Sequence, residues 1–245
     1  LPTRTPTSNT GGVNVLRGDV DLLNDVAPPA AFAVAANTVE EDTITFQLLP
    51  MPVCTAPVYQ WAKSMVNHFE GGMLGLPIPT GSTLVEPRMG QPGSGAGPKE
   101  IWVGYDQTIG GSPVVTATAR RADGVDVNIV ASPVIAGDVL KIGLTGPIPD
   151  VSCLTVTING VTDTLTGACT AEPLTLNIAV RKGDVNGDGF TDGGDMVECR
   201  KRSSGLPVTE ADCGYDLNVD GFIDGGDMAE VRKLSSGIQT PSCSN

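Results

Sequence analysis

From about Ala30 to Arg181 the chain is written in short runs that alternate apolar and polar residues. Thr43-Ile44-Thr45-Phe46 and Leu154-Thr155-Val156-Thr157-Ile158 are the clearest of them. A period of two sends successive side chains to opposite faces of an extended strand. Eight runs read as strands: AAFAVAA (30–36), DTITFQLL (42–49), EIWVGYD (100–106), PVVTATAR (113–120), VDVNIVA (125–131), DVLKIGL (138–144), CLTVTING (153–160) and PLTLNIAV (173–180). Gly, Pro, Asn and Asp separate them, as turns require. Many short strands with such turns predict an antiparallel β-sandwich or jelly roll. One stretch breaks the period. PVYQWAKSMVNHFEGG (57–72) sets Trp61, Met65 and Phe69 four residues apart, which predicts a short helix with one apolar face. GQPGSGAGP (90–98) reads as a flexible loop.

Past Arg181 the pattern changes. GDVNGDGFTDGGDM (183–196) returns as YDLNVDGFIDGGDM (215–228), an offset of 32 residues. Each copy runs into a helix-like segment, DMVECRKRSSG (195–205) and DMAEVRKLSSG (227–237). Gly205 and Gly237 are expected as left-handed C′ residues that end these helices. Arg200, Lys201, Arg232 and Lys233 lie near the helix ends, where the dipole favours cations. The expected organisation is an extended arm over 1–29, a β-sandwich over 30–181 and a small helical domain over 182–245.

The repeated stretches carry chemistry. Asp184, Asn186, Asp188, Asp192 and Asp195 occupy positions 1, 3, 5, 9 and 12 of a twelve-residue loop. Asp216, Asn218, Asp220, Asp224 and Asp227 do the same in the second copy. Gly189 and Gly221 stand at position 6, where a calcium loop turns sharply, and Phe190 and Phe222 at position 7 offer a backbone carbonyl. Ca²⁺ takes six to eight hard oxygens from a compact loop, and this spacing supplies them twice. The expectation is two Ca²⁺ ions, one per loop. A polar, Asp-rich turn repeat is the competing reading. No helix-length segment precedes the first loop, so a full helix–loop–helix hand is not expected, and position 12 is Asp rather than Glu.

On these residues the tail, roughly Gly183 to Gly237, resembles a dockerin, the module of two loop–helix calcium repeats that plugs into a cohesin. The resemblance implies that calcium folds the module and that its task is docking. Dockerins of cellulase complexes often carry Ser-Thr-like pairs at loop positions 10 and 11 for partner contact. Here those positions are Gly193-Gly194 and Gly225-Gly226. The near-symmetry of the two repeats leaves two docking orientations open. The stretch from GDVLKIGL to NIAVRKGDVNGDG also resembles the end of β-sandwich modules in secreted bacterial proteins with dockerin-type tails, which implies location and architecture rather than activity.

Composition narrows the function classes. The 245 residues carry a net charge of −13, and the tail from Lys182 holds 12 acidic and 6 basic residues. Such density repels itself unless cations neutralise it. An acidic chain is a poor partner for nucleic acid. Its longest apolar run is far short of the roughly 20 residues of a membrane span. A start at Leu1 reads as a mature product with its signal peptide removed, although a trimmed chain would start the same way. The expected location is therefore secreted or extracellular, at a cell surface or in a matrix.

Catalysis is not expected. His68 is the single histidine, so a triad or a His-based metal site has little to build on, and it reads as a surface or satisfied residue beside the short helix. Glu70, Glu86, Glu100 and Asp106 could furnish a glycosidase pair, but the first part has two Trp and two Tyr, few for a sugar cleft. Arg17-Gly18-Asp19 reads as a turn.

The six cysteines divide three and three: Cys54, Cys153 and Cys169 before the tail, and Cys199, Cys213 and Cys243 within it. In a secreted chain they suggest disulfides. Local pairs Cys153–Cys169 and Cys199–Cys213 are expected. They leave Cys54 and Cys243 to tie the C-terminus to a sandwich, in this chain or the next, or to remain as free thiols. Three functions follow. The first is an extracellular structural subunit that assembles head to tail with its own kind into a filament, its N-terminal arm able to add to a neighbour's sheet edge. The second is a carbohydrate- or surface-binding module that docks to a cohesin-like partner. The third is a glycoside hydrolase subunit.

Overall fold

The computed structural model describes residues 54–89, 96–240 and 243. The 1–29 arm, the runs AAFAVAA and DTITFQLL, and most of the 90–98 loop lie outside the described residues. What is described is mainly β: β1 (Tyr59–His68), β2 (Gly72–Ile78), β3 (Thr83–Glu86), β4 (Glu100–Tyr105), β5 (Ile109–Arg121), β6 (Asp126–Ala136), β7 (Val139–Thr145), β8 (Ser152–Asp163) and β9 (Leu174–Val180). Two helices follow, α1 (Gly193–Arg202) and α2 (Gly225–Leu234), with a 3₁₀ turn at Cys213–Tyr215 between them.

The strands are hydrogen-bonded in the order β2-β1-β4-β7-β6-β5-β8-β9-β3. β6 joins the two halves of this arrangement. Its first part, Asp126–Ile129, pairs with β5, and its second part, Val130–Ala136, pairs with β7. One layer is therefore β2-β1-β4-β7 and the other β5-β8-β9-β3, a sandwich sewn together along one strand. Alternate residues of both layers turn inward: Ile101 and Val103, Leu140, Ile142 and Leu144, Leu154, Val156 and Ile158, Leu176, Ile178 and Val180. Neighbouring strands are antiparallel except β3 and β9, which run parallel and therefore end side by side.

Six of the expected runs form β4 to β9. The predicted helix at 57–72 is not formed. Its residues make β1 and the turn into β2, paired antiparallel from Ala62↔Ile78 to His68↔Gly72. The reason lies in the spacing: positions four apart share a helix face, but four is also a multiple of two, so they share a strand face. Trp61, Met65 and Phe69 do follow one another along one face of β1 and its extension, but that face is not uniformly outer: Trp61 and Phe69 are exposed, Phe69 at 82%, while Met65 is buried. The other face, Ala62, Ser64, Val66 and His68, is buried.

Each helix opens with a capping box. Asp192 and Asp224 are the N-caps, and Asp195 and Asp227, three residues on, reach back to the N-cap N–H. Both helices end one residue earlier than expected. Ser203 and Ser235 are the C-caps, so Gly205 and Gly237 fall beyond C′. The Ser235 hydroxyl donates to the Val231 carbonyl at 2.9 Å, closing the last turn of α2.

The expected local disulfides are replaced by longer ones, Cys54–Cys169 and Cys153–Cys243, while Cys199 and Cys213 are free and buried. Folding overrides sequence proximity here. Cys199 packs with Leu217 and Val231, and Cys213 packs with Val208 and Ile223. The C-terminus is thus tied to the sandwich, through Cys153 on β8.

The described residues belong to one compact unit. The sandwich core gathers 22 buried residues, whereas the two apolar clusters of the tail have three each. At roughly 1.5–3 kcal/mol per buried aliphatic side chain, so small a core cannot hold the tail on its own. One of its clusters leans on Leu74 and Leu76 of β2.

Candidate metal centre

β9 delivers the chain into the first loop (184–195), and the 3₁₀ turn delivers it into the second (216–227). The two loops fold by nearly the same hydrogen bonds, differing in whether position 4 or position 5 donates to the first aspartate. In loop 1 the Asp184 carboxylate accepts from Gly187 N–H at 2.8 Å and Gly189 N–H at 2.9 Å. Asp195 Oδ1 accepts from Val185 and Asn186 N–H, and its Oδ2 accepts from Asp192 N–H. Asn186 donates to Asp188, and Asp188 receives Phe190 N–H. In loop 2 Asp216 accepts from Asp220 and Gly221 N–H, and Asp227 from Leu217, Asn218 and Asp224 N–H. Asn218 donates to Asp220, which receives Phe222 N–H. Every acidic or amide residue singled out in the sequence lies in its loop at the expected position. Gly189 and Gly221 adopt φ of 88° and 96°, the left-handed backbone that position 6 demands.

Asp184, Asp195, Asp216 and Asp227, the first and last positions, are at most 1% exposed. Burial pushes the Asp184 carboxyl up to about 6 against the pull of the Gly189 N–H, with Asp195 adding to the rise. Burial likewise lifts Asp195, and lifts Asp227 to about 6 despite three backbone N–H donors. Among the described residues no three acidic, histidine or cysteine side chains converge as a metal cluster; the carboxylates are turned to backbone N–H groups. The donor chemistry nevertheless fits a hard divalent cation. Each loop offers only oxygens, including buried carboxylates whose mutual repulsion a cation would relieve.

The surroundings of the loops differ. Loop 1 is fastened through Arg181, which is buried at the end of β9 and donates to Thr191 Oγ1 and Ser236 Oγ, both at 3.0 Å. Gly183 N–H donates to the Pro87 carbonyl and Lys182 N–H to Asp150. Loop 2 is held by its own carboxylate. His68 Nδ1 lies 2.7 Å from Asp216 Oδ2, both side chains fully buried. His68 Nε2 faces the Arg88 guanidinium at 3.2 Å. A guanidinium only donates, so Nε2 accepts and Nδ1 carries the hydrogen given to Asp216. Arg88 forms a bidentate pair with Glu86 and donates to the Ser64 carbonyl; Ser64 Oγ hydrogen-bonds Glu86 in turn. Burial opposes the Arg88 charge, and Glu86 more than offsets it, holding the guanidinium protonated. Two backbone bonds finish the seam, Phe69 N–H to the Val219 carbonyl and Met89 N–H to that of Leu217, and within the tail Val208 N–H donates to the Gly221 carbonyl.

The comparison with known families can now be read on this geometry. Residues 182–234 match the dockerin type I domain. Dockerin domains bind calcium and dock to cohesin partners. Neither curated proteins nor solved structures yield a match to the chain. Outside the dockerin domain, three of the four carboxylates considered for catalysis have hydrogen-bond partners. Glu86 is locked by Arg88, Glu100 accepts from Trp102 Nε1 at 2.7 Å, and Asp106 accepts from Val58 N–H. The residues the sequence reading missed are Ser64, Glu86, Arg88 and His68 acting together. Their partner Asp216 is 148 residues from His68, and no local pattern announces such a pair. The Gly-Gly pairs at positions 10 and 11 begin the helices, and nothing stands within 4 Å of where a Cβ on Gly193 or Gly225 would be.

Proposed function

We propose that this chain is an extracellular, non-enzymatic protein whose dockerin domain, residues 182–245, holds two Ca²⁺ and docks to a cohesin-like β-sandwich on another protein. Asp184, Asn186, Asp188, the Phe190 carbonyl, Asp192 and Asp195 would ligate one ion. Asp216, Asn218, Asp220, the Phe222 carbonyl, Asp224 and Asp227 would ligate the other. Calcium would supply charge neutralisation at these buried carboxylates. The protein's own residues set the turn, cap the helices and bury the first and last ligands. The observation that carries this reading is the repetition of one hydrogen-bonded loop geometry in two places, each ending on a buried aspartate that also caps a helix. Proteins with dockerin domains are typically extracellular or at the cell surface, and no described helix is long and apolar enough to cross a membrane.

Calorimetric titration of the chelated protein tests the reading. Two calcium equivalents are expected, falling to none in an Asp184→Ala/Asp216→Ala double variant, with capture of immobilised cohesin modules only in calcium. Uptake that survives the double variant would overturn the ligand assignment. A head-to-tail filament needs the sandwich of one copy to receive the tail of another. In this chain the sandwich already carries its own tail along β1 and β2, so a separate partner is the better fit. Electron microscopy with and without calcium separates the two.

A further inference from the structure

We infer that the β-sandwich supplies the outer layer of the second calcium site, with His68 as the residue that positions Asp216, so that a ligand of loop 2 is held from the sandwich while the first ligand of loop 1 is held by its own loop. The inference rests on the calcium reading above and goes beyond it by making the two sites unequal.

Four observations support it. First, ligating carboxylates work best when a second hydrogen bond fixes their orientation. Asp216 Oδ2 receives both His68 Nδ1–H and Gly221 N–H, which leaves Oδ1 as the oxygen with the weaker hold, a single 3.2 Å contact from Asp220 N–H. Second, His68 is itself held. Its Nε2 is claimed by Arg88, Arg88 by Glu86, and Glu86 by Ser64, all fully buried on β1 and at the end of β3. The chain of contacts therefore runs from the sheet to the ligand without a solvent gap. Third, the backbone of loop 2 is clamped at the same place. Val219, at position 4, sits at φ 57°, a conformation costly for a β-branched residue. Its carbonyl accepts from Phe69 N–H, the residue after His68. Fourth, loop 1 has glycine at that position, Gly187 at φ 76°, and Asp184 is held by backbone N–H groups of its own loop.

The test uses the full chain. Calcium affinity of loop 2 is measured in an Asp184→Ala background and that of loop 1 in an Asp216→Ala background. His68→Ala should weaken loop 2 by roughly 10- to 100-fold and leave loop 1 within about twofold. His68→Asn, which keeps an N–H near the place of Nδ1, should recover part of the loss. A structural role alone would weaken loop 2 without recovery in His68→Asn. Because variants at a buried site can fail to fold, the unmodified protein provides a second readout. His68 is the single histidine, so its imidazole resonances need no assignment by mutation. The Nδ1–H tautomer should be visible by nitrogen-15 NMR, and the ring signals should shift during calcium titration in step with filling of loop 2. Ring signals that stay fixed while two equivalents bind would overturn the inference and leave the calcium reading standing. No uptake at either loop would overturn both.

Discussion

Loop 1 and loop 2 are nearly the same sentence written twice, and they sit in different worlds. Both carry Asp at 1, Asn at 3, Asp at 5, 9 and 12, and both close a capping box. Loop 1 is tied to its neighbours mainly by Arg181 bonding Thr191 and Ser236. Loop 2 gives the carboxylate of its first position to a histidine of the sandwich, and behind that histidine stands a buried ion pair. A repeat fixes ligand spacing because spacing is local. It does not fix what holds the ligands, because that comes from strands distant in sequence.

The comparison can be broken most severely at Arg88. Arg88→Leu leaves Glu86 buried without its partner and should cost about 3–5 kcal/mol, read by chemical denaturation. Loss of the seam should accompany it, seen as weaker protection of the Phe69 and Met89 amides from hydrogen exchange. A near-neutral result would mean the pair is dispensable.

Next come the paired aspartates in chelator. Asp216→Ala strips a partner from buried His68 and should lower stability by about 1–3 kcal/mol. Asp184→Ala removes a carboxylate that burial already disfavours and should cost less. Equal thermal shifts would erase the distinction drawn here.

The two position-6 glycines sharpen it further. Gly189→Ala meets only Gln239, at 3.7 Å, so the cost is that of the left-handed backbone, about 1–2 kcal/mol. At Gly221 an added Cβ would stand 2.7 Å from Glu70 Cβ and 2.8 Å from Glu70 N, so Gly221→Ala should cost more than Gly189→Ala. Smallest of all should be Lys63→Ala. Its 2.6 Å ion pair with Glu210 crosses the seam at the surface, and such pairs contribute less than about 1 kcal/mol.

The free thiols offer a kinetic contrast. Burial pushes Cys199 up to about 12 and Cys213 up to about 11, so little thiolate exists near neutral pH and alkylation of the folded chain should be slow. From about pH 9, the ordinary thiol value, the unfolded chain loses these protons while the folded chain keeps them. Stability should therefore fall as pH rises from there through the folded values. Cys213 lies at the seam with Leu74 and Leu76, and Cys199 lies inside the tail. If the seam opens before the tail melts, mass spectrometry should find Cys213 labelled first.

Much of this was legible in the chain. The loops could be read residue by residue because calcium geometry is set within twelve positions. Strands β4 to β9 announced themselves by alternation. β1 did not, since Trp61, Met65 and Phe69 satisfy a helix and a strand alike. β3 is short, and Gly75 and Pro77 blur the apolar pattern of β2. Disulfide partners 115 and 90 residues apart carry no local signal. His68, read as a surface or satisfied side chain, is satisfied, but by groups that only the fold brings to it.

The disulfides set how the molecule bears load. The ring closed by Cys54–Cys169 and the ring closed by Cys153–Cys243 overlap between residues 153 and 169. Everything from 54 to 243 therefore lies inside a covalent loop. Pulled at Cys243, the chain cannot pay out what lies between 153 and 243, roughly 300 Å of slack at about 3.4 Å per residue. The force passes instead into β8, at the middle of its layer. A chain closed this way lengthens little under such a pull.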